Sequence, residues 1–519
     1  MRTALYRVIV LCLAAGLGLT GLAQDTDFEP GPDLINTLGV GARAVAMGDA
    51  YTAIADDPSA TFWNPARLGE IPFLQVMVEG RNVLRITQVT GEPLPDYWDP
   101  GNLEEEGLTR LPIKFSFAGF SKSLGDWEPN VGSRGGTLGV SYTLGGYFDF
   151  RTRYNMPGEP IDGEETEAIF QEDRLVQNHF LTVAWGKNLL IARNPTMRTV
   201  TVPKPAADTA ADAPAAEPAP EETTTVERKG NIYKIGIGVG GYAVMQTQEK
   251  RSASVVKMLG PNGVDDLTIG DTIIDDSIVP GTEVVIPPLD ASGTGYGFIV
   301  GLTAELWGYR SSQGDEMLPE GGRLRYGLTY RSKADIGGLV TKMPDMDFDL
   351  GDEFGREIPS RITFGVAYEY TEPEESVMQS ATVRAPRQLT MSAEAQYFSK
   401  ANDNPFALDK RKSITNFGFG IEYIPTRQWL PIPFLRKLTY DESKLAYVEP
   451  IRLGVRTNQA GNVYGIFEDD VVVSGGLALY YSALNGGARG NYTFSFEPTA
   501  EYFIESGQTI YTLSTNYRF

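Results

Sequence analysis

The sequence has almost no cysteine and almost no histidine: one of each, Cys12 and His179, in 519 residues. Cys12 falls inside an N-terminal run that reads as a secretory signal, so the processed chain is expected to hold no thiol. That excludes disulfide frameworks, thiolate metal sites and cysteine nucleophiles. A histidine-rich metal site is excluded as well, and a lone histidine in a β-patterned stretch reads as structural. Basic residues are scarce beside acidic ones, 45 Lys and Arg against 67 Asp and Glu, for a net charge of −22. With no basic stripe such a chain repels nucleic acid, and no nucleic-acid partner is expected. Past the leader no apolar run approaches the length of a membrane-spanning helix.

The leader itself is compact. Arg2 and Arg7 precede the apolar run Val8 to Leu19, and Gly21-Leu22-Ala23 offers small residues for cleavage before Gln24. Residues 1–23 therefore read as a signal peptide, too short for an anchor and followed at once by polar residues. Leu11 before Cys12 is not small, which argues against a lipoprotein cysteine.

Period-two alternation is abundant. In "GYGFIVGLTAELWG" Tyr296, Phe298, Val300, Leu302 and Leu306 share one face, while Gly297, Gly301, Thr303 and Glu305 fill the other. "RLRYGLTYR" sets Leu324, Tyr326, Leu328 and Tyr330 against Arg323, Arg325, Thr329 and Arg331, and "RITFGVAYEY" sets Ile362, Phe364 and Val366 against Arg361, Thr363 and Glu369. Segments of this kind fall near 71–84, 111–124, 137–152, 175–190, 231–247, 294–308, 322–333, 359–371, 387–398, 414–424, 448–457, 470–483, 491–504 and 508–519. A soluble sandwich or propeller also alternates, but its strands are shorter. Strands of ten or more residues with a Tyr- and Phe-rich apolar face predict an all-β fold, a transmembrane antiparallel β-barrel of about 14 strands.

The other face would line the lumen. Lys234, Glu305, Arg323, Arg325, Arg361, Glu369, Glu394, Glu422, Arg452 and Arg456 are expected to point inward and to form an Arg/Glu ladder across neighbouring strands. Long polar connections are expected at 86–110, 153–174, 191–230, 248–293 and 335–357. The Pro/Ala/acid-rich insertion at about 195–228 is expected to be disordered. The last segment, "QTIYTLSTNYRF", puts Tyr517 and Phe519 on one face, and a terminal Phe of this kind resembles the signal read by barrel-assembly machinery.

Ahead of the strands stands "GVGARAVAMGDAYTAIADDPSATFWNPARL", too rich in small residues for a packed helix and too irregular for a strand. Its Gly39-Val40-Gly41 superficially matches a dinucleotide loop, but no buried strand precedes it and no βαβ unit follows. Asp56-Asp57 could be an acid-base pair, yet adjacent carboxylates before Pro58 and Ser59 more often form a turn or cap, with no nucleophile or metal set beside them. No enzymatic activity, cofactor or metal is expected.

This stretch resembles the N-terminal signature of the FadL-like superfamily of outer-membrane barrels, which includes hydrophobic-compound and long-chain fatty-acid transporters and, as a close relative, the PorV/PorQ group tied to type IX secretion. The matching residues are Gly41-Ala42-Arg43-Ala44, Met47-Gly48-Asp49-Ala50, Ala53 to Asp57, Ser59-Ala60 and Trp63-Asn64-Pro65-Ala66. The resemblance implies a fourteen-stranded barrel, residues 71–519, with an N-terminal hatch, residues 24–70, plugging its lumen. The hatch residues carried over are Gly41, Arg43, Met47, Gly48, Asp49, Asp56, Asp57, Trp63, Asn64, Pro65 and Ala66. It also implies an integral protein of the bacterial outer membrane, among outer-membrane lipids, that passes hydrophobic small molecules. Trp98, Leu103, Leu108 and Leu111 are loop candidates for holding such a ligand. The alternative is a component of type IX secretion that binds secreted protein cargo.

Overall fold

The computed structural model describes residues 39–72, 74–91, 107–128, 132–161, 164–203, 222–258, 283–311, 318–343, 346–348, 357–371, 387–399, 413–425, 447–458, 470–481, 494–504 and 509–518. Fourteen long strands form one sheet. They are β1 (Leu74–Gly91), β2 (Gly107–Ser123), β3 (Thr137–Ile161), β4 (Glu164–Pro203), β5 (Glu222–Met258), β6 (Glu283–Ser311) and β7 (Leu318–Arg331). The second half supplies β8 (Arg361–Thr371), β9 (Gln388–Phe398), β10 (Ile414–Ile424), β11 (Ile451–Asn458), β12 (Asp470–Leu477), β13 (Phe494–Phe503) and β14 (Thr509–Arg518). Each strand pairs antiparallel with the next in sequence. The sheet closes because β14 pairs antiparallel with β1, Arg518 opposite Gln75 and Thr512 opposite Arg81. Closure removes both edges, the condition for a sheet to cross a bilayer with its backbone groups paired.

The side-chain pattern is that of a membrane barrel. On β6, Tyr296, Phe298, Val300 and Leu302 are exposed, whereas Thr303 and Glu305 between and beyond them are buried. The same inversion holds on β8, where Ile362 and Phe364 are exposed and Arg361 and Thr363 buried, and on β11, where Leu453 is 63% exposed and Arg452 only 1%. Apolar outside and charged inside is what a lipid solvent selects.

Several expected connections are strand instead. Residues 153–161 and 164–174 continue the β3–β4 ladder as far as Ile161 opposite Glu164. Residues 248–258 continue β5 against β4 as far as Met258 opposite Thr166, and 283–293 continue β6 against β5. The insertion near 195–228 is corrected in the same way: 195–203 pair with 222–230, leaving only 204–221 outside the described residues. Without lipid on one face the two-residue alternation fades while the backbone goes on pairing.

One segment lies apart from the sheet and inside it. Gly39 to Ile71 contains α1 (Ala42–Ala46), α2 (Ala60–Trp63) and a 3-10 turn at Pro65–Glu70. Its side chains form the main apolar core, with Val40, Ala44, Met47, Tyr51, Ile54, Trp63 and Leu68 at 3% exposure or less. The 3-10 turn packs on β3, β4, β5 and β6, and α1 packs on β11, β12, β13 and β14. The segment therefore reaches opposite walls of the barrel. Residues 1–38, and with them the leader, lie outside the described residues.

Candidate functional site

The segment's backbone explains its composition. Gly48 and Asp49 are consecutive residues at positive φ, +61° and +58°. A side chain on Gly48 would also press on the carbonyls of Val455 at 2.6 Å and Phe419 at 2.7 Å. Opposite it, Gly418, Gly420 and Gly454 of β10 and β11 bring the wall backbone against Met47 and Gly48. Glycine on both partners allows main chain to meet main chain. Further along, the Asn64 side chain accepts from the amide of Ala66 at 3.1 Å, and Pro65 occupies the first position of the 3-10 turn. A capping Asn followed by Pro is the sequence logic of a helical N-terminus. The Asn64 Nδ2 then donates to the Thr52 carbonyl at 3.1 Å and to the Leu302 carbonyl of β6 at 3.2 Å, so one side chain turns the chain and ties it to the wall.

Ion pairs fix the segment to the ladder. Arg43 Nε donates to Glu422 Oε2 at 2.9 Å, and its Nη1 reaches Asp56 at 2.6 Å and the Tyr51 hydroxyl at 3.0 Å. Glu422 in turn accepts from Arg452 Nε at 2.7 Å, and Arg452 reaches Glu497 at 2.7 Å. Asp49 lies 3.3 Å from Arg456, which also holds Glu501 at 2.9 Å. Glu394 accepts the amides of Tyr51 and Thr52 at 2.8 and 2.7 Å. At the other end Arg67 Nη1 meets Glu305 at 2.5 Å, Arg325 bridges Glu305 at 3.2 Å and Glu369 at 2.9 Å, and Lys234 pairs with Glu70. Arg323 is half-buried, its guanidinium 4.9 Å from the Trp307 ring centre. Each of these ion-paired charges meets a partner, which offsets the cost of its burial.

Asp57 is buried and engaged by its neighbours in the inner segment. It holds the turn that leads into α2, accepting the Ser59 amide at 2.9 Å and the Tyr51 hydroxyl at 2.7 Å. Burial, then the neighbouring Asp56, pushes its carboxyl up, against the hydrogen bonds from Ser59 and Tyr51. Trp63 donates its indole N–H to the Val40 carbonyl at 2.7 Å, closing the segment on itself. Ala66 is fully buried against β5 and β6. Gly41, at φ +92°, precedes α1.

The interior also contains charged residues that the sequence reading did not single out: Arg67, Glu70, Glu79, Arg81, Glu497 and Glu501. Glu497 and Glu501 lie on the polar face of "NYTFSFEPTAEYFI" and were open to the same period-two count. Arg67 and Glu70 follow no period, and only their partners reveal them. Tyr517 is exposed on the outer face at 45%. Phe519, Trp98 and Leu103 lie outside the described residues, and Leu108 and Leu111 fall within β2.

One stretch of the wall is incompletely laddered. β2 pairs with β3 only from Phe117 opposite Thr143 to Ser123 opposite Thr137. Beyond that level β2 stays with β1 and β3 with β4, β1 pairs in parallel with β3 only from Arg85 opposite Asp149 to Gly91 opposite Asn155, and register shifts at Glu79/Gly80 and Leu144/Gly146 lie beside the divergence. A small cavity opens there, lined by Gly39, Val40, Glu79, Arg81, Lys114, Ser116 and Leu144. It joins the start of the inner segment to the divergence in the wall.

Among the described residues no group of His, Cys, Asp and Glu is arranged to hold a metal ion. No family model matches the sequence, and no curated protein matches it. Among solved structures the chain is similar to a Pseudomonas aeruginosa FadL homologue at 10% identity and a TM-score of 0.37, over 96% of this chain and 100% of that one. It is similar also to the Ralstonia pickettii toluene transporter TbuX, 12% identical with a TM-score of 0.30, over 93% and 98% of the two chains. The CymD monoaromatic hydrocarbon channel is 10% identical, with a TM-score of 0.28 over 93% and 98%. By its own geometry, a closed even-numbered sheet with an apolar exterior and a charged, filled interior, the chain is an integral outer-membrane β-barrel.

Proposed function

We propose that this barrel passes hydrophobic compounds, such as long-chain fatty acids or hydrocarbons, across the outer membrane by passive diffusion, with the inner segment Gly39–Ile71 as its hatch. The interior is lined with ion pairs and filled by that segment, so an apolar solute has no greasy route along the barrel axis. The observation that carries the reading is the divergence of β2 from β3, backed by a cavity at the head of the inner segment. It supports a sideways exit into the lipid, gated by movement of Gly39 and Val40. No bond is made or broken in such passage, and no cofactor takes part.

The test is flux in liposomes. Long-chain fatty acid or toluene entry through the reconstituted barrel should fall severalfold when Ser116→Cys and Leu144→Cys are joined across the divergence, and recover on reduction. If the oxidised and reduced forms carry the solute equally, lateral exit is wrong. If the purified barrel holds no apolar ligand at all, transport is wrong.

A further inference from the structure

Arg331 and Arg361 are buried and stand outside the ion pairs described above. Arg331 ends β7 and Arg361 begins β8, and the two are direct partners in the β7–β8 register, both turned inward at 7% and 5% exposure. Arg43, Arg67, Arg81, Arg325, Arg452 and Arg456 each lie within 4.0 Å of a carboxylate. Among the described residues neither Arg331 nor Arg361 forms such a pair. Both instead aim at one acceptor, the carbonyl of Phe62 in the inner segment, at 3.1 and 3.5 Å. Both guanidiniums lie over the Phe62 ring, 4.4 and 4.7 Å from its centre. Arg331 Nε is buried and without a hydrogen-bond partner.

Like charges directly opposite across a ladder repel, and burial removes the water that would screen them. Glu394 and Asp49 attract Arg361 from beyond ion-pair distance, but among the described residues no carboxylate acts on Arg331, and one carbonyl dipole does not balance it. Around Arg331 the surroundings are apolar: Phe180 and Tyr242 lie 5.7 and 5.6 Å from its guanidinium. These rings continue into a cluster with Ala334, Ile336 and Ile358 from the connection between β7 and β8. Two planar donor groups side by side under an apolar cover suit a carboxylate or similar oxyanion, which each guanidinium can meet with two parallel N–H donors.

We propose that Arg331 and Arg361 form an oxyanion-binding site at the junction of the inner segment with the wall, taking a carboxylate as its ligand. The bound anion neutralises the pair and pins Phe62, so its arrival and departure alter how firmly the inner segment is held. The site does not depend on the transport reading. The ligand could be a bare anion or the head of an acid with an apolar tail, the cluster at Ile336 and Ile358 then covering the tail.

Calorimetric titration of the full chain in a neutral maltoside detergent tests this, with acetate, decanoate and decanol as probes at constant chloride. Saturable binding of acetate and decanoate but not decanol identifies a bare-anion site. Binding of decanoate alone identifies an amphipathic acid. Either result supports the site if Arg331→Gln and Arg361→Gln each weaken binding about tenfold or more. Lys333→Gln, an exposed neighbour, should leave it unchanged. Arg361→Lys, which keeps the charge and loses the fork, should bind more weakly than wild type and serves if the Gln variants fail to fold. Absence of saturable binding by both carboxylates, or binding indifferent to these arginines, overturns the proposal. Acetate binding without flux of any apolar solute would leave the anion site standing while the transport reading fell.

Discussion

At Gly48 two demands meet in one atom. The residue sits at positive φ, and a Cβ there would collide with the backbone of β10 and β11. Gly48→Ala should therefore cost about 2–5 kcal/mol in the docking of the inner segment, read as faster proteolysis within residues 39–71 of the folded barrel. Arg43 is the residue on which three groups of the interior converge, Glu422, Asp56 and the Tyr51 hydroxyl. Arg43→Met should destabilise the folded barrel by about 3 kcal/mol in urea titration, the lower end for a broken buried pair because Glu422 keeps Arg452. Asp49 supplies a pH dependence. Burial pushes its carboxyl up to about 6, against the attraction of Arg456. The folded state thus holds this proton more tightly than the unfolded chain, whose carboxyl titrates near 3.8. Its contribution is complete below pH 3.8 and is lost as pH rises through 6. Hydrogen-exchange protection of residues 47–52, taken relative to the intrinsic rate at each pH, should fall across that window, and Asp49→Asn should flatten the change.

At the scale of elements, the β4–β5 hairpin exceeds what the barrel needs. β3 meets β4 last at Thr137 opposite Gly186 and β6 meets β5 last at Ser311 opposite Arg228, yet β4 and β5 run on together to Pro203 opposite Glu222. Thr196 and Lys229 face each other at the base of this overhang. Joining them through Asn-Gly in place of 197–228 should leave a barrel with an unchanged heat-modified gel shift, since a two-residue turn of that type matches strand twist. Loss of assembly would show that the overhang takes part in folding. Which strands existed was legible from the period-two pattern, because lipid on one side and charge on the other write alternation directly into residues such as Phe364 and Thr363. Where strands ended was not, because outside the slab nothing distinguishes the two faces. The residues of the inner segment stood out by composition, but their roles did not. Asn64 as a cap and a tether, and Asp57 as the acceptor that holds a turn, follow from neighbours brought together by folding.

For the whole molecule, the inner segment and the wall complete each other's charges. Removing residues 41–66 would strip Glu422 and Glu394 of partners on the segment and open a lumen lined by both signs of charge. The deletion should raise single-channel conductance in planar bilayers well above that of the intact barrel, and an unchanged conductance would mean that the segment is not what closes the lumen. The sequence by itself determined the class of molecule. Alternation over long segments, an acidic composition and the scarcity of cysteine and histidine follow from the solvent on each face and need no tertiary contact to be read. Only the tertiary structure decided which charges are neighbours. Strand register sets Arg331 against Arg361, packing of the inner segment brings Arg43 onto Glu422 across 379 residues, and β2 parts from β3. A period of two says which face a side chain takes and is silent on what it will meet there, because register is fixed by the packing of the whole sheet around the segment inside it.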